Sequence, residues 1–139
     1  MNKLAIITAF LGTVKNRYMV YQEDRSLEEK FEMASKVEGI DGLELCYPSD
    51  FGDLKKLKGL LKQYNFGISA LNFRSRRTGK WWRGSFTSQS TSERQEFVDE
   101  VRRAMDAAVE LGCHRITTCP LNDGSDYLFE MDYIKAYDY

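Results

Sequence analysis

One histidine, two prolines and three cysteines are all that this 139-residue chain carries of those residue types. With His114 as the single imidazole, a multi-histidine metal cluster built by one chain is excluded. Cys46, Cys113 and Cys119 are odd in number and never spaced as C-x-x-C. Neither a disulfide framework nor a zinc knuckle is implied, and a reducing, cytoplasmic setting is expected. An excess of one charge is lacking too: twenty Lys and Arg stand against twenty-one Asp and Glu, a net charge of −1. No global field draws the protein to nucleic acid or to an anionic membrane. No apolar run approaches the roughly 20 residues of a membrane span. The opening apolar stretch is interrupted at Thr8 with no small-residue cleavage site after it, so it reads as a strand and not as a leader. Absent as well is any G-x-G-x-x-G or G-x-x-x-x-G-K after that strand, which removes the main support for nucleotide binding.

What is present is a globular balance, 42% hydrophobic, 29% charged and 13% aromatic, in a length that suits one domain. Leu4 to Phe10 is a continuous apolar stretch, the pattern of a strand buried on both faces of a parallel sheet. Ser26 with Glu29 forms an S-x-x-E capping box before Leu27, Phe31, Ala34 and Val37, a helix closed near Gly39. A second strand runs from Gly42 to Cys46 and stops at Tyr47-Pro48. A helix from near Asp53 carries Leu54, Leu57, Leu60 and Leu61 and ends at Asn65-Phe66-Gly67. The third strand is Ile68 to Phe73. A long loop, Arg74 to Thr91, follows, of the kind that is functional or disordered. Ser92 with Gln95 is expected to cap a helix bearing Phe97, Val101, Ala104, Ala108 and Leu111 until Gly112. Ile116 to Cys119 forms the fourth strand.

Four strand–helix units in alternation imply right-handed crossovers and a parallel sheet, hence the α/β class. Two architectures satisfy the pattern: a small open sheet, or part of a barrel that needs eight such units and about 250 residues.

The helix ending in Glu110-Leu111-Gly112, the turn Asp123-Gly124-Ser125-Asp126-Tyr127, and Gly42-Leu43-Glu44-Leu45 together resemble the sugar phosphate isomerase/epimerase group of the xylose isomerase-like TIM-barrel superfamily. The resemblance covers the whole chain and implies a (β/α)-barrel type, with residues 1–139 as a single domain forming the first four βα units, the N-terminal half. It implies a divalent metal (Mn, Mg, Co or Zn) in the complete enzyme, held by Glu, Asp and His from strands five to eight. Those strands are expected beyond Tyr139, so no metal ligand and no catalytic residue is carried over, and no metal is expected for this segment alone. The implied activity is isomerisation or epimerisation of a sugar or sugar phosphate. The reaction is proton transfer next to a carbonyl, which needs carboxylate bases and an electrophile for the enediolate oxygen. Open strand edges would favour a homo-oligomer or a complementing C-terminal half. The alternatives are a non-catalytic half-barrel binding module, or another chemistry on the same barrel such as C-glycoside cleavage or sugar-acid isomerisation.

In a barrel, strand ends and the loops after them form the active-site face. That rule nominates Phe10, Glu44, Tyr47, Asn72, Trp81, Trp82, Asn122 and Asp123 as substrate-binding residues, with Arg74 beside them. Glu44 is the sharpest, because a carboxylate among Leu, Leu and Cys needs a partner if buried. That partner could equally be an internal basic group. Asp123 and Asp126 flank a turn glycine, where aspartates commonly bond their own backbone. Trp81 and Trp82 suit a sugar face or a lid, but also a plug. Arg74, Arg76, Arg77, Lys80 and Arg83 could meet a substrate phosphate or stay solvated. His114 reads as structural on the opposite face, and Cys119 as a small buried apolar residue.

Overall fold

The computed structural model describes residues 3–15, 19–75, 80–81, 84–119, 129 and 131–139. Its elements are β1 (Ala5–Ile7), β2 (Val14–Lys15), β3 (Val20–Gln22), α1 (Leu27–Ser35), β4 (Gly42–Tyr47), α2 (Leu54–Tyr64), β5 (Gly67–Phe73), α3 (Thr91–Glu110), β6 (Ile116–Thr118) and α4 (Tyr133–Tyr137). None of the described helices is long and apolar enough to cross a membrane.

The helix ends follow from side-chain chemistry. Ser26 and Glu29 make both hydrogen bonds of the capping box of α1, and Asp53 accepts from the amide of Lys56 at the start of α2. In α3 the cap is Ser90, which accepts from Glu93 N, and not Ser92 as the S-x-x-Q spacing predicted. Ser92 already lies inside the helix, since Ser90 offers the same hydroxyl two residues earlier with an acidic residue three positions on. At the other end Gly112 takes a φ of 67°. The amide of Cys113 then reaches back 2.8 Å to the carbonyl of Ala108, so the last turn's carbonyls are not left open. Asn65, at φ 55°, closes α2 in the same way.

The main sheet is parallel, in the order β1-β4-β5-β6. Strands are laid down in one direction with no reversal, which is how a barrel winds, whereas a doubly wound sheet turns back on itself. The side chains agree. Leu43 and Leu45 of β4 pack with Phe31 and Ala34 of α1 and Leu57 and Leu60 of α2. Leu71 and Phe73 of β5, paired with Leu45 and Tyr47, pack with Phe97, Ala104 and Ala108 of α3. The helices α1, α2 and α3 therefore cover one face of the sheet, and the other face belongs to the alternate residues. The structure is the barrel type and not the small open sheet.

The expected first strand departs from the structure. The run Leu4 to Phe10 is extended only over Ala5–Ile7, and Thr8–Leu11 wind into a 3-10 turn. Thr8 is fully buried and its hydroxyl donates to Asp50, which draws the chain off the ladder. β2 and β3 then pair as a small antiparallel hairpin. Strands of two and three residues are too short to show periodicity. The fourth strand ends at Thr118, and Cys119 is exposed, not a buried apolar residue.

Candidate active site

A polar array occupies the face of the sheet that the helices leave uncovered. Glu44 is half-buried on β4. Its Oε1 accepts from Asn72 Nδ2 of β5 at 2.6 Å and from the Thr117 hydroxyl of β6 at 2.7 Å. The Asn72 amide also donates to Thr117 Oγ1 at 3.2 Å. Three neighbouring strands each contribute one side chain to this array, and the carboxylate that looked costly in an apolar strand is satisfied by neutral donors. Among the described residues these donors meet Oε1, so Oε2 keeps its capacity to accept from a ligand hydroxyl.

The array depends on an irregularity. Leu43 pairs with Ile68 but Glu44 pairs with Ala70, leaving Ser69 as the extra residue of a bulge. Its hydroxyl donates to Leu43 O at 3.2 Å. Side chains alternate along a strand, so an unbroken ladder that included Ser69 would turn Asn72 toward the helices. The bulge keeps Ile68, Leu71 and Phe73 against the helix layer and aims Asn72 at Glu44.

Other nominated residues sit around the C-terminal ends of the strands. Phe10 lies in the 3-10 turn after β1 and is 64% exposed. Tyr47 ends β4 on the helix side and not beside the array: it alternates with Glu44, stacks on Phe73 at 5.9 Å and meets the edge of Phe51 at 5.3 Å. Arg74 continues from β5, exposed, with its amide on Tyr47 O. Trp81 is also turned away from the array. It is 8% exposed, with its ring edge-on to Phe97 at 5.0 Å on the helix side. Lys80 lies over that ring and pairs with Glu96. Phe97 also takes the edges of Phe73 and Phe86 at 5.4 and 4.4 Å, so Trp81 sits in an aromatic cluster that docks the loop on α3. Trp82, Asn122 and Asp123 lie outside the described residues, as do Arg76, Arg77, Arg83 and Asp126. His114 is exposed just after α3, ahead of β6.

Three participants escaped the sequence reading. Thr117 is the third member of the array, and its only sequence signal is a hydroxyl at an alternate position of a short strand. Lys30 and Asp50 form a buried ion pair at 3.0 Å, with side-chain exposures of 10% and 1%. Lys30 stands in α1 and reads as a solvated lysine, and Asp50 reads as a turn residue after Pro48.

Among the described residues no three of His, Cys, Asp and Glu come together as a metal site would require. Glu44 is the carboxylate of the array and is held by neutral donors, so the described residues do not by themselves make up a metal's ligand set. Residues 31–137 match a protein family described as the xylose isomerase-like TIM barrel. No curated protein matches the chain.

Proposed function

The chain belongs to the xylose isomerase-like TIM barrel family, and from that membership we propose that it supplies the sugar-holding part of a divalent-metal-dependent sugar or sugar-phosphate isomerase or epimerase of the cytoplasm. The family points to activity of this or a related type. Residues 1–139 are then the first four βα units of the barrel, and a second copy or a complementing C-terminal half supplies the remaining strands. The observation that carries the reading is the Glu44–Asn72–Thr117 array on the uncovered face, at the place where a barrel presents its pocket. A fixed carboxylate oxygen flanked by an amide and a hydroxyl suits two adjacent sugar hydroxyls, which both donate and accept. Phe10 forms an apolar wall for the C–H side of the ring, whereas Tyr47, packed with Phe73 on the helix side, is not part of it; Asn122, Asp123 and Trp82 stay proposed sugar contacts on the strength of the resemblance alone. Proton transfer beside the carbonyl would raise charge on the neighbouring oxygen. The metal proposed to meet it has no ligand set among the described residues, and the resemblance assigns its ligands to strands five to eight of the barrel.

The test is proton exchange. The protein is incubated in D2O with Mn2+ and a panel of aldoses, ketoses and their phosphates, and NMR reads deuterium at the carbon beside the carbonyl. Exchange with one sugar that is lost in Glu44→Gln supports the reading. A sugar that binds without exchange in the assembled protein would make it a binding module.

A further inference from the structure

The segment after β1 is pinned at every turn. Asp50 is 2% exposed and gathers donors from three parts of the chain: Lys30 Nζ of α1 at 3.0 Å, the Cys46 amide of β4 at 2.8 Å, and the Thr8 hydroxyl of the 3-10 turn. Thr8 Oγ1 in turn lies 3.2 Å from both the Cys46 amide and the Glu44 carbonyl. The end of the strand that bears Glu44 and the start of the turn that bears Phe10 therefore share one buried carboxylate. The lysine serves a second purpose. A Cβ on Gly12 would stand 2.8 Å from Lys30 Cε and 3.3 Å from Nζ, so the far end of the turn lies directly on the lysine tail.

The carbonyls of that turn are also held. Phe10 O and Gly12 O accept from Gln22 Nε2 at 3.1 and 2.6 Å, Leu11 O from Arg25 at 3.1 Å, and Ala9 O from the Gly12 amide at 3.3 Å. Yet the Phe10 ring is 64% exposed. An apolar ring displayed on a backbone with no slack loses little freedom on meeting a ligand. A buried ion pair is a weak source of net stability, since desolvation offsets most of the attraction, and its best-attested use is to select one arrangement.

We propose that the Lys30–Asp50 ion pair is a positioning device, which sets the turn Thr8–Gly12 against β4 so that Phe10 stands as a preformed wall beside the Glu44 strand. What the wall contacts rests on the sugar-holding reading; the pinning does not.

The two are separated by measuring hydrogen exchange first, on the ligand-free protein. The variant Lys30→Met/Asp50→Asn removes both charges together and keeps an acceptor for the Thr8 hydroxyl and the Cys46 amide, so no lone charge is left buried. It is expected to keep its melting temperature within a few degrees while amide exchange over residues 8–12 rises about tenfold or more, a local opening. Lys30→Arg, which still pairs with Asp50, is expected to restore slow exchange there. Unchanged exchange over residues 8–12 in the folded double variant overturns the proposal, and so does a rise spread evenly over all elements. With any sugar identified by the D2O assay, the double variant should raise KM and spare kcat. A lost kcat at unchanged KM would overturn the assignment of Phe10 as a wall while leaving the sugar reading intact.

Discussion

The side-chain amide of Asn72 donates to Oε1 of Glu44 across 2.6 Å, although the two residues are not partners in the ladder: Glu44 pairs with Ala70 and Asn72 with Cys46. The contact is diagonal on one face of neighbouring parallel strands, and it exists because the Ser69 bulge puts Ala70 and Asn72 on the face of Glu44.

Glu44→Gln is expected to leave the melting temperature nearly unchanged, because an amide oxygen still accepts from Asn72 and Thr117. A hydrogen bond to a charged group contributes about 1.5–3 kcal/mol, so sugar binding should weaken roughly tenfold to a hundredfold. Calorimetric titration beside a thermal melt reads both, and equal loss of melting temperature and affinity would show Glu44 to be structural.

Phe97→Ala should be among the costliest single changes, about 3–5 kcal/mol in urea unfolding. The side chain is fully buried and three aromatic rings meet it. Trypsin cutting after Lys80 should quicken in the same variant, since Trp81 loses the ring it docks on.

Gly84→Ala is disfavoured twice. The residue has a φ of 116°, and an added Cβ would lie 2.9 Å from the Ser88 amide nitrogen. A loss of at least about 1–3 kcal/mol is expected from the backbone conformation alone, read as a lower midpoint in urea; Gly52→Ala, with open space around it, is the control.

Acid should loosen the start of α1. Glu29 has its carboxyl held below the ordinary carboxylate range, first by the Ser26 amide and then by the Ser26 hydroxyl. Because the folded value is the lower one, this contribution is complete above the ordinary value near 4.3 and is lost as pH falls through the depressed folded value. Protection factors at residues 27–30, taken against the intrinsic exchange rate at each pH, should therefore fall on acidification below about pH 4, and Glu29→Gln should flatten that fall. An identical acid limb in both proteins would exclude the capping box as its origin.

Much of the scaffold was legible because each element has a local signature. Ser26 and Asp53 are caps with a hydroxyl or carboxylate within reach of the first free amides, and the Leu57/Leu60 and Phe97/Ala104/Ala108 spacings name the buried faces directly. The first strand was overread because an apolar run says nothing of a hydroxyl bonded to a carboxylate 42 positions away. The site was half legible. Glu44 stands out as a charge in an apolar strand and Asn72 by its place near a strand end. Thr117 carries no such mark, and the Lys30–Asp50 pair joins a helix to a turn 20 residues on. Trp81 illustrates the converse: the tryptophan pair suggested a pocket, but burial against Phe97 depends on a helix sixteen residues further along, which composition does not reveal.

Ser69 gives β5 seven residues against the six of β4, and that surplus makes the strand tolerant of change in length. Removing Ser69 would let β5 run alongside β4 one for one, with Ile68 and Leu71 still toward the helices and Asn72 still toward Glu44. A single-codon deletion at position 69 is thus among the few in a sheet strand that the protein should survive with its polar array in place, whereas adding a further residue there would carry Asn72 away from Glu44, either by turning it to the helices across a wider bulge or by sliding it two places along β4 in a regular ladder.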